Sequence, residues 1–363
     1  GYTLYTSAHA QRALLIGMDG RLVHEWHLPF DSVWDRSAAV ARPPEVQFVY
    51  WRKAGLLPNG DLIAIAVEAG MTPWGLGLIR IDRSSRLVWK YLQRVHHDFH
   101  VADDGRVFTL THRIRRRPLK GVPTVKTPFL DDLVVVLSPD GGELRRASVY
   151  EALAKSPYKL LLEHVPHNEH GDYLHVNAIE LLQRPVASPP LRAGHLLLSM
   201  REIGFIGLVD TSSMTFTWGT TGPWLEQHDP DMLDNGNILL FDNRGRRGAP
   251  GGQSRVIEFD PVTHGIVWRY EGSEQERFYS EVRSSQQRLP NGNTLITESD
   301  AGRLLEVTGE GDIVWEFVNP AARDDHPGSV AAVCWATRVA ESELDDAFAR
   351  ELAGSRTDGR RER

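Results

Sequence analysis

Hydrophobic and polar positions alternate in short runs along most of the chain, and the runs return in the same order. A turn reading LPNGDLI (Leu57 to Ile63) comes back as DDGRVF from Asp103, LDNGNILL from Leu233 and LPNGNTLI from Leu289. After it comes a strand-like segment closing near Asp or Thr, such as GLIRID, IGLVD, RVIEFD or RLLEVT. Often a third follows with an aromatic close, LVWKY, IVWRY or IVWEF. Period-two alternation punctuated by Asn-Gly or Asp-Gly predicts antiparallel strands joined by tight turns. A unit of roughly 45 residues copied along one chain predicts a β-propeller, each copy a four-stranded blade.

The segments closing near Asp or Thr occur six times, near Ala13–Met18, Gly77–Asp82, Leu133–Ser138, Ile206–Asp210, Arg255–Asp260 and Arg303–Thr308. The turn occurs only five times, at Asn59-Gly60, Asp104-Gly105, weakly at Ala193-Gly194, Asn235-Gly236 and Asn291-Gly292. The missing inner strand is the alternating run AAVCWATRV (Ala331 to Val339), and Thr3 to Leu28 supplies the outer strands of the same blade. The expected fold is therefore all-β, a six-bladed β-propeller. Its N-terminal outer strands join a C-terminal inner strand, which leaves no free edge. One propeller domain is expected over 1–340, with a short surface helix (ESELDDAFARELA) and a disordered tail over 341–363.

Composition fits one large folded domain: 363 residues, 41% hydrophobic and 25% charged. A chain of this length buries roughly 75% of its unfolded surface, so neither metal nor disulfide is needed to hold it. The lone Cys334 has no internal partner for a disulfide, and one cysteine does not fix the compartment. No apolar run reaches the roughly 18 residues of a membrane span. A net charge of −7 argues against nucleic acid as a partner, although RIRRRPLK (Arg113 to Lys120) is a local basic run, either a solvated loop or an electropositive rim. The chain begins at Gly1, which leaves room for a removed upstream signal peptide.

Three stretches interrupt the repeat: Arg113 to Phe129, Ala152 to Asp172 and Gln183 to Arg192. Long insertions in a compact domain are often lids or binding loops, and these are expected to cap the axis.

Aligning the copies on their turns locates candidate chemistry. Seven residues before the turn Asn or Asp stand Arg52, His97, His228 and Ser284, all polar. Equivalent positions of equivalent strands should ring one level of the central channel. In the remaining blade, HVNAIELL places His175 and Asn177 two apart on one face. His97 and His228 are each followed by Asp, a repetition more specific than one lone histidine among fifteen. His96, His100, His164, His167 and His170 match no repeated position and are read as packing or lid residues. His24, His27, His195 and His264 are read as surface or strand-edge residues. Arg201 ends a second strand in LLLSMRE, where an apolar run breaks into charge. It would hold an anion bidentately or pair with Glu202 or Asp229.

Three imidazoles with guanidiniums, an amide and a hydroxyl suit either a tetrahedral oxyanion or a divalent metal. Arginine tips the choice toward the anion, so no metal is assigned to this ring. No organic cofactor is expected, and a structural Ca²⁺ on the axis stays open. Trp89, Trp268 and Trp315 recur at one blade position and read as packing, whereas Trp51, Trp218 and Trp224 lie nearer the channel mouth, where an aryl ring would stack.

The ordered set HHDFH, YLHVNAIE, LLLSMRE, EQHDPDMLDNGNILLFDN and RSSQQRLPNGNTLIT resembles the bacterial arylsulfotransferases, propeller enzymes that move sulfate between phenols without a nucleotide donor. The resemblance spans roughly Thr3 to Val339. It implies His228 as the histidine that becomes transiently sulfated, with His97, His175 and Arg201 as catalytic partners. Asn177, Ser284, Arg52, Arg283, Tyr279 and Trp224 are the accompanying substrate-binding candidates. It further implies an aryl sulfate and a phenol as substrates and favours a periplasmic or secreted location. Two other readings stay open: a polysaccharide lyase acting on an anionic uronate saccharide with His, Tyr279 and Arg, and a non-catalytic interaction platform.

Overall fold

The computed structural model describes residues 1–184, 193–244, 253–273, 275–323 and 326–358. The fold is a six-bladed β-propeller, built from six four-stranded antiparallel sheets. The first blade runs Val333–Val339, Tyr2–Ser7, Arg12–Gly17 and Leu22–His27, so the C-terminal strand closes it on the N-terminal ones as the repeat count requires. The second blade holds Val49–Leu56, Leu62–Glu68, Gly77–Ile81 and Leu87–Tyr91. The third holds His96–Val101, Val107–Arg115, Phe129–Leu137 and Glu143–Ser148. The fourth holds Val176–Leu181, His195–Met200, Phe205–Asp210 and Thr215–Thr221. The fifth holds His228–Met232, Ile238–Asp242, Arg255–Phe259 and Ile266–Tyr270. The sixth holds Ser285–Arg288, Thr294–Glu298, Arg303–Val307 and Ile313–Val318.

The copied turns are type I turns closed by a left-handed glycine. In Leu57-Pro58-Asn59-Gly60, the Gly60 N–H donates to the Leu57 carbonyl at 3.0 Å, and the Leu57 N–H bonds the Asp61 carbonyl at 2.8 Å. Gly60 sits at φ +85° and Gly292 at φ +87°, where a Cβ would be strained. The second asparagine of the LDNGN and LPNGN turns has a packing role. Asn235 and Asn237 donate to Glu258 Oε1 at 2.9 and 2.6 Å, and Arg288 holds Glu258 Oε2 at 2.8 Å while stacking 4.8 Å from Trp268. Asn293, Glu306, Arg338 and Trp315 repeat the arrangement, so these tryptophans serve packing.

Clustering of contacts divides the chain into two compact units. One comprises Gly1–Gly70, Leu76–Gln93 and Leu289–Arg363, the other Met71–Gly75 and Arg94–Arg288. In the first unit Tyr5, Ile16, Leu304 and Val333 share a core cluster. The C-terminal helix, Asp346–Asp358, extends past the predicted ESELDDAFARELA run, and it docks. Phe348 and Leu352 are fully buried, and Phe348 meets His24 and Trp26 edge-on and tilted. His24 is therefore a residue of the blade's edge strand, packed under the helix. The last residues of the predicted tail, 359–363, lie outside the described residues.

In the second unit the first two insertions are held by packing. Leu119, Val122 and Val125 of the first and Leu153, Leu162 and Val165 of the second join one core cluster with Phe108, Val134, Leu196 and Phe205 of the third and fourth blades. The second insertion forms the helix Val149–Ala154, N-capped by the Ser148 hydroxyl accepting from the Glu151 N–H at 3.1 Å. Apolar burial gives these segments their fixed positions. The basic run is partly spent as well: Arg113 and Arg115 pair with buried Asp131 at 2.9 and 3.2 Å, and Arg115 also with Glu151. Of the third insertion, 185–192 lies outside the described residues. His195, read as a surface or strand-edge residue, is the buried first residue of its strand.

Candidate functional site

The polar residues singled out by their distance from the turns fall on irregular strand starts. Pairing skips between His96 and Phe99, between Val176 and Ala178, and between His228 and Asp231, and the same happens at Arg52 between Trp51 and Lys53. His97, His175, Asp229 and Ser284 have positive φ values of 57°, 53°, 52° and 74°. A β-bulge re-aims side chains out of the alternating pattern, which is how a polar group leaves the sheet faces here. The Asp of each His-Asp pair holds the bulge in place. Asp98 accepts from the N–H groups of Phe99 at 2.7 Å and Ile179 at 2.8 Å, the latter on the next blade's inner strand. Asp229 likewise accepts from the Gln286 N–H at 3.3 Å.

His97 and His175 come together with ring centroids 4.6 Å apart, edge to face. His175 Nδ1 donates to Asp172 Oδ2 at 2.6 Å, and the Trp74 indole N–H reaches the same oxygen at 3.0 Å. Burial opposes charge on Asp172, but the attraction and hydrogen bond of His175, with the Trp74 bond, outweigh it and hold the carboxyl well below its ordinary range. His175 thus has a permanent anionic partner.

His228 is 3% exposed and is oriented through Nδ1, which lies 2.7 Å from Asn243 Oδ1 and 3.1 Å from the Glu226 carbonyl. The Asn243 amide is itself pinned, its Nδ2 donating to the carbonyls of Ser280 at 3.0 Å and Arg283 at 3.1 Å. With the Asn243 and Glu226 oxygens opposite it, Nδ1 carries the proton, so in the neutral ring Nε2 carries the lone pair. Asn177 links the fourth and fifth blades by donating to the Gln227 carbonyl at 2.8 Å.

Arg201 carries less free charge than its place in the sequence suggests. It is paired with Glu202 and, at 3.0 Å, with Glu226, so the salt-bridge alternative describes it, with Glu226 in place of Asp229. The pair borders a cavity of about 410 Å³ lined by His164, Arg201, Glu202, Ile203, Trp224 and Leu225 among others, a volume that suits an aryl ring. Trp224 forms its wall from the core side: it is 3% exposed, packs on Phe259 at 4.8 Å and donates to the Gly204 carbonyl at 2.8 Å. Tyr279 is half-buried beneath the Arg277 guanidinium at 5.5 Å. Arg52 lies in the first unit, where Nη1 donates to the Cys334 carbonyl at 2.7 Å, and Trp51 beside it is wholly buried.

One group of metal-competent side chains lies beside this site among the described residues. His96, His112 and Asp132 offer ligand atoms within 4.8 Å of one another. His96, read as a packing residue, also meets His97, Nδ1 to Nδ1, at 2.8 Å. Burial above all pushes the His96 imidazole well down and the Asp132 carboxyl well up. Their 3.7 Å approach is therefore a contact between neutral groups, not an ion pair.

Residues 53–320 match the family model described as Arylsulfotransferase (ASST). The chain belongs to the arylsulfotransferase family. Membership carries a sulfotransferase-like transferase function on small molecules, in agreement with the resemblance seen in the motifs. No sequence among the curated proteins matches this family member. Similar solved structures include a protein of unknown function from Bacteroides caccae, 12% identical over 87% of this chain and 93% of that one, with a TM-score of 0.54. A streptogramin B lyase is 11% identical over 89% and 80%, with a TM-score of 0.47, and virginiamycin B lyase from Staphylococcus aureus 12% over 89% and 82%, with a TM-score of 0.47. Identities this low show the shared fold and nothing of the chemistry.

Sequence reasoning missed Trp74, Asp172, Asn243, His112 and Asp132. A second offset finds two of them: eight residues after the turn residues 104, 193, 235 and 291 stand His112, Arg201, Asn243 and Ser299.

Proposed function

We propose that this arylsulfotransferase-family protein carries a sulfuryl group from an aryl sulfate to a phenol through His228. The observation that supports it most is the pinned Asn243, which keeps the His228 proton on Nδ1 and the lone pair on Nε2. In the first half-reaction Nε2 attacks sulfur, an N–S bond forms, the aryl S–O bond breaks, and the departing phenolate takes a proton. His175, held by the Asp172 carboxylate at 2.6 Å, gives that proton. In the second half-reaction the acceptor phenol yields its proton back to His175 as its oxygen attacks sulfur, and the N–S bond breaks to regenerate neutral His228. Arg283, whose carbonyl helps hold Asn243, and the adjacent Ser284 take the charge growing on the sulfuryl oxygens. The cavity beside Arg201 and Trp224 receives the aryl ring.

The direct test is mass spectrometry of the protein quenched after exposure to a phenolic sulfate without acceptor. The peptide containing His228 should gain one sulfuryl group and lose it when a phenol is added. Undiminished transfer by His228→Ala overturns the proposal.

A further inference from the structure

The geometry points to a buried site for one divalent transition-metal ion on His96, His112 and Asp132 of the third blade. The three residues stand on adjacent strands, His96 on the innermost, His112 on the second and Asp132 on the third. His112 and Asp132 are direct cross-strand partners, so ladder hydrogen bonds fix the spacing of the donors before any ligand arrives. The two imidazoles stack at 4.5 Å with 28° between their planes. Both of their Nε2 atoms are buried without a hydrogen-bond partner. A polar atom buried in that condition costs about 1–3 kcal/mol, and here two such atoms lie on stacked rings, one of them 3.7 Å from Asp132 Oδ1.

Once an ion displaces the Asp132 proton, two neutral imidazoles and one carboxylate make a donor set of net charge −1. Imidazole nitrogen selects transition metals over the oxygen-seeking Mg²⁺ and Ca²⁺. The sequence placed metal and anion in competition for one ring of residues. In the structure the two are separate, because His96 is the neighbour of His97 rather than its equivalent. An ion bound to His96 Nε2 leaves that ring's proton on Nδ1, which then donates to His97 Nδ1 at 2.8 Å. The ion would thereby set the tautomer of His97, a supporting role of the kind that outer hydrogen bonds play around metal ligands.

The test uses the full chain, stripped with a chelator, reloaded with Co²⁺ and desalted. One equivalent of cobalt should be retained, with a visible ligand-field band, and Zn²⁺ should displace it. His112→Phe keeps the stacked ring but not the ligand and should lose both the equivalent and the band. Asp132→Asn keeps the side-chain shape and should do the same, and it decides alone if the first variant does not fold. Wild-type protein that retains no cobalt overturns the proposal, as does full retention by the folded variant. Neither readout involves sulfotransfer, so this site and the His228 chemistry stand or fall separately.

Discussion

Removing the Asn243 side chain separates the aiming of His228 from its chemistry. Asn243→Ala deletes one acceptor, 2.7 Å from His228 Nδ1, and two donors, 3.0 and 3.1 Å from the carbonyls of Ser280 and Arg283. Two of the three partners keep another bond: His228 Nδ1 still has the Glu226 carbonyl at 3.1 Å, and the Ser280 carbonyl still accepts from the Ser254 hydroxyl at 3.1 Å. The stability cost is therefore about 1–3 kcal/mol, readable as a lower urea midpoint with an unchanged slope. The catalytic cost is larger because the bond strengthens along the reaction. As Nε2 bonds to sulfur the ring becomes cationic, and the Nδ1–H to Asn243 bond becomes charge-assisted, worth about 1.5–3 kcal/mol. Losing it should slow sulfation of His228 by about 10- to 150-fold, seen in rapid-quench measurement of the first half-reaction. KM should hardly move, because the ground-state ring is neutral. A variant that sulfates His228 at the wild-type rate, or that loses KM while keeping kcat, refutes the role given to Asn243.

Burial, helped by the Glu25 charge and opposed by Arg12, pushes the Tyr5 phenol from 10.0 to about 12. Between those values the unfolded chain gives up a proton that the folded one keeps, so the stability present below pH 10 falls as pH rises. The loss reaches about 2.7 kcal/mol near pH 12, and urea unfolding of Tyr5→Phe should show that much less alkaline decline. Phe348→Ala should cost about 3–5 kcal/mol and raise amide exchange across Asp346–Asp358. Its ring carbons stand 2.7 Å from where a Cβ on Gly60 would lie, so it closes the base of the copied turn, and an unchanged urea midpoint would contradict that docking.

The blades were legible because turn chemistry and period-two alternation are local, and so were the closing strand and the family. His97 and His228 could be singled out for the same reason, since an offset counted from a turn survives any sequence between the copies, whereas His175, which the structure sets against His97, stood out only by its spacing from Asn177. Counting from the turn along the second strand finds Asn243 and His112 as well. Trp74 and Asp172 carry no such mark, since they lie in a loop and in an insertion, and only folding brings them to His175. Asp132 was hidden by its neighbours, a carboxylate inside the apolar run FLDDLVVVL, where alternation alone cannot say what faces it. The packing of the first two insertions was not legible because Pro and charge suggest loops, while their scattered Leu, Val and Tyr were enough to bury parts of them in a core.

The repeated His-Asp pair shows why resemblance between copies has to be divided before it is read as chemistry. Both aspartates do the same structural work, holding a bulged strand start and accepting an N–H from the following inner strand, Ile179 in one case and Gln286 in the other. That half of the motif recurs because in both places it latches one inner strand to the next. The histidines do different work, His97 against His96 and His175, His228 against Asn243. Their recurrence reflects the bulge that presents them rather than one shared role. Replacing Asp98 or Asp229 should therefore act through stability and through the position of the adjacent ring, whereas replacing His228 should remove the sulfated group itself. The copied unit supplies the scaffold, and the site arises where the copies have ceased to be alike.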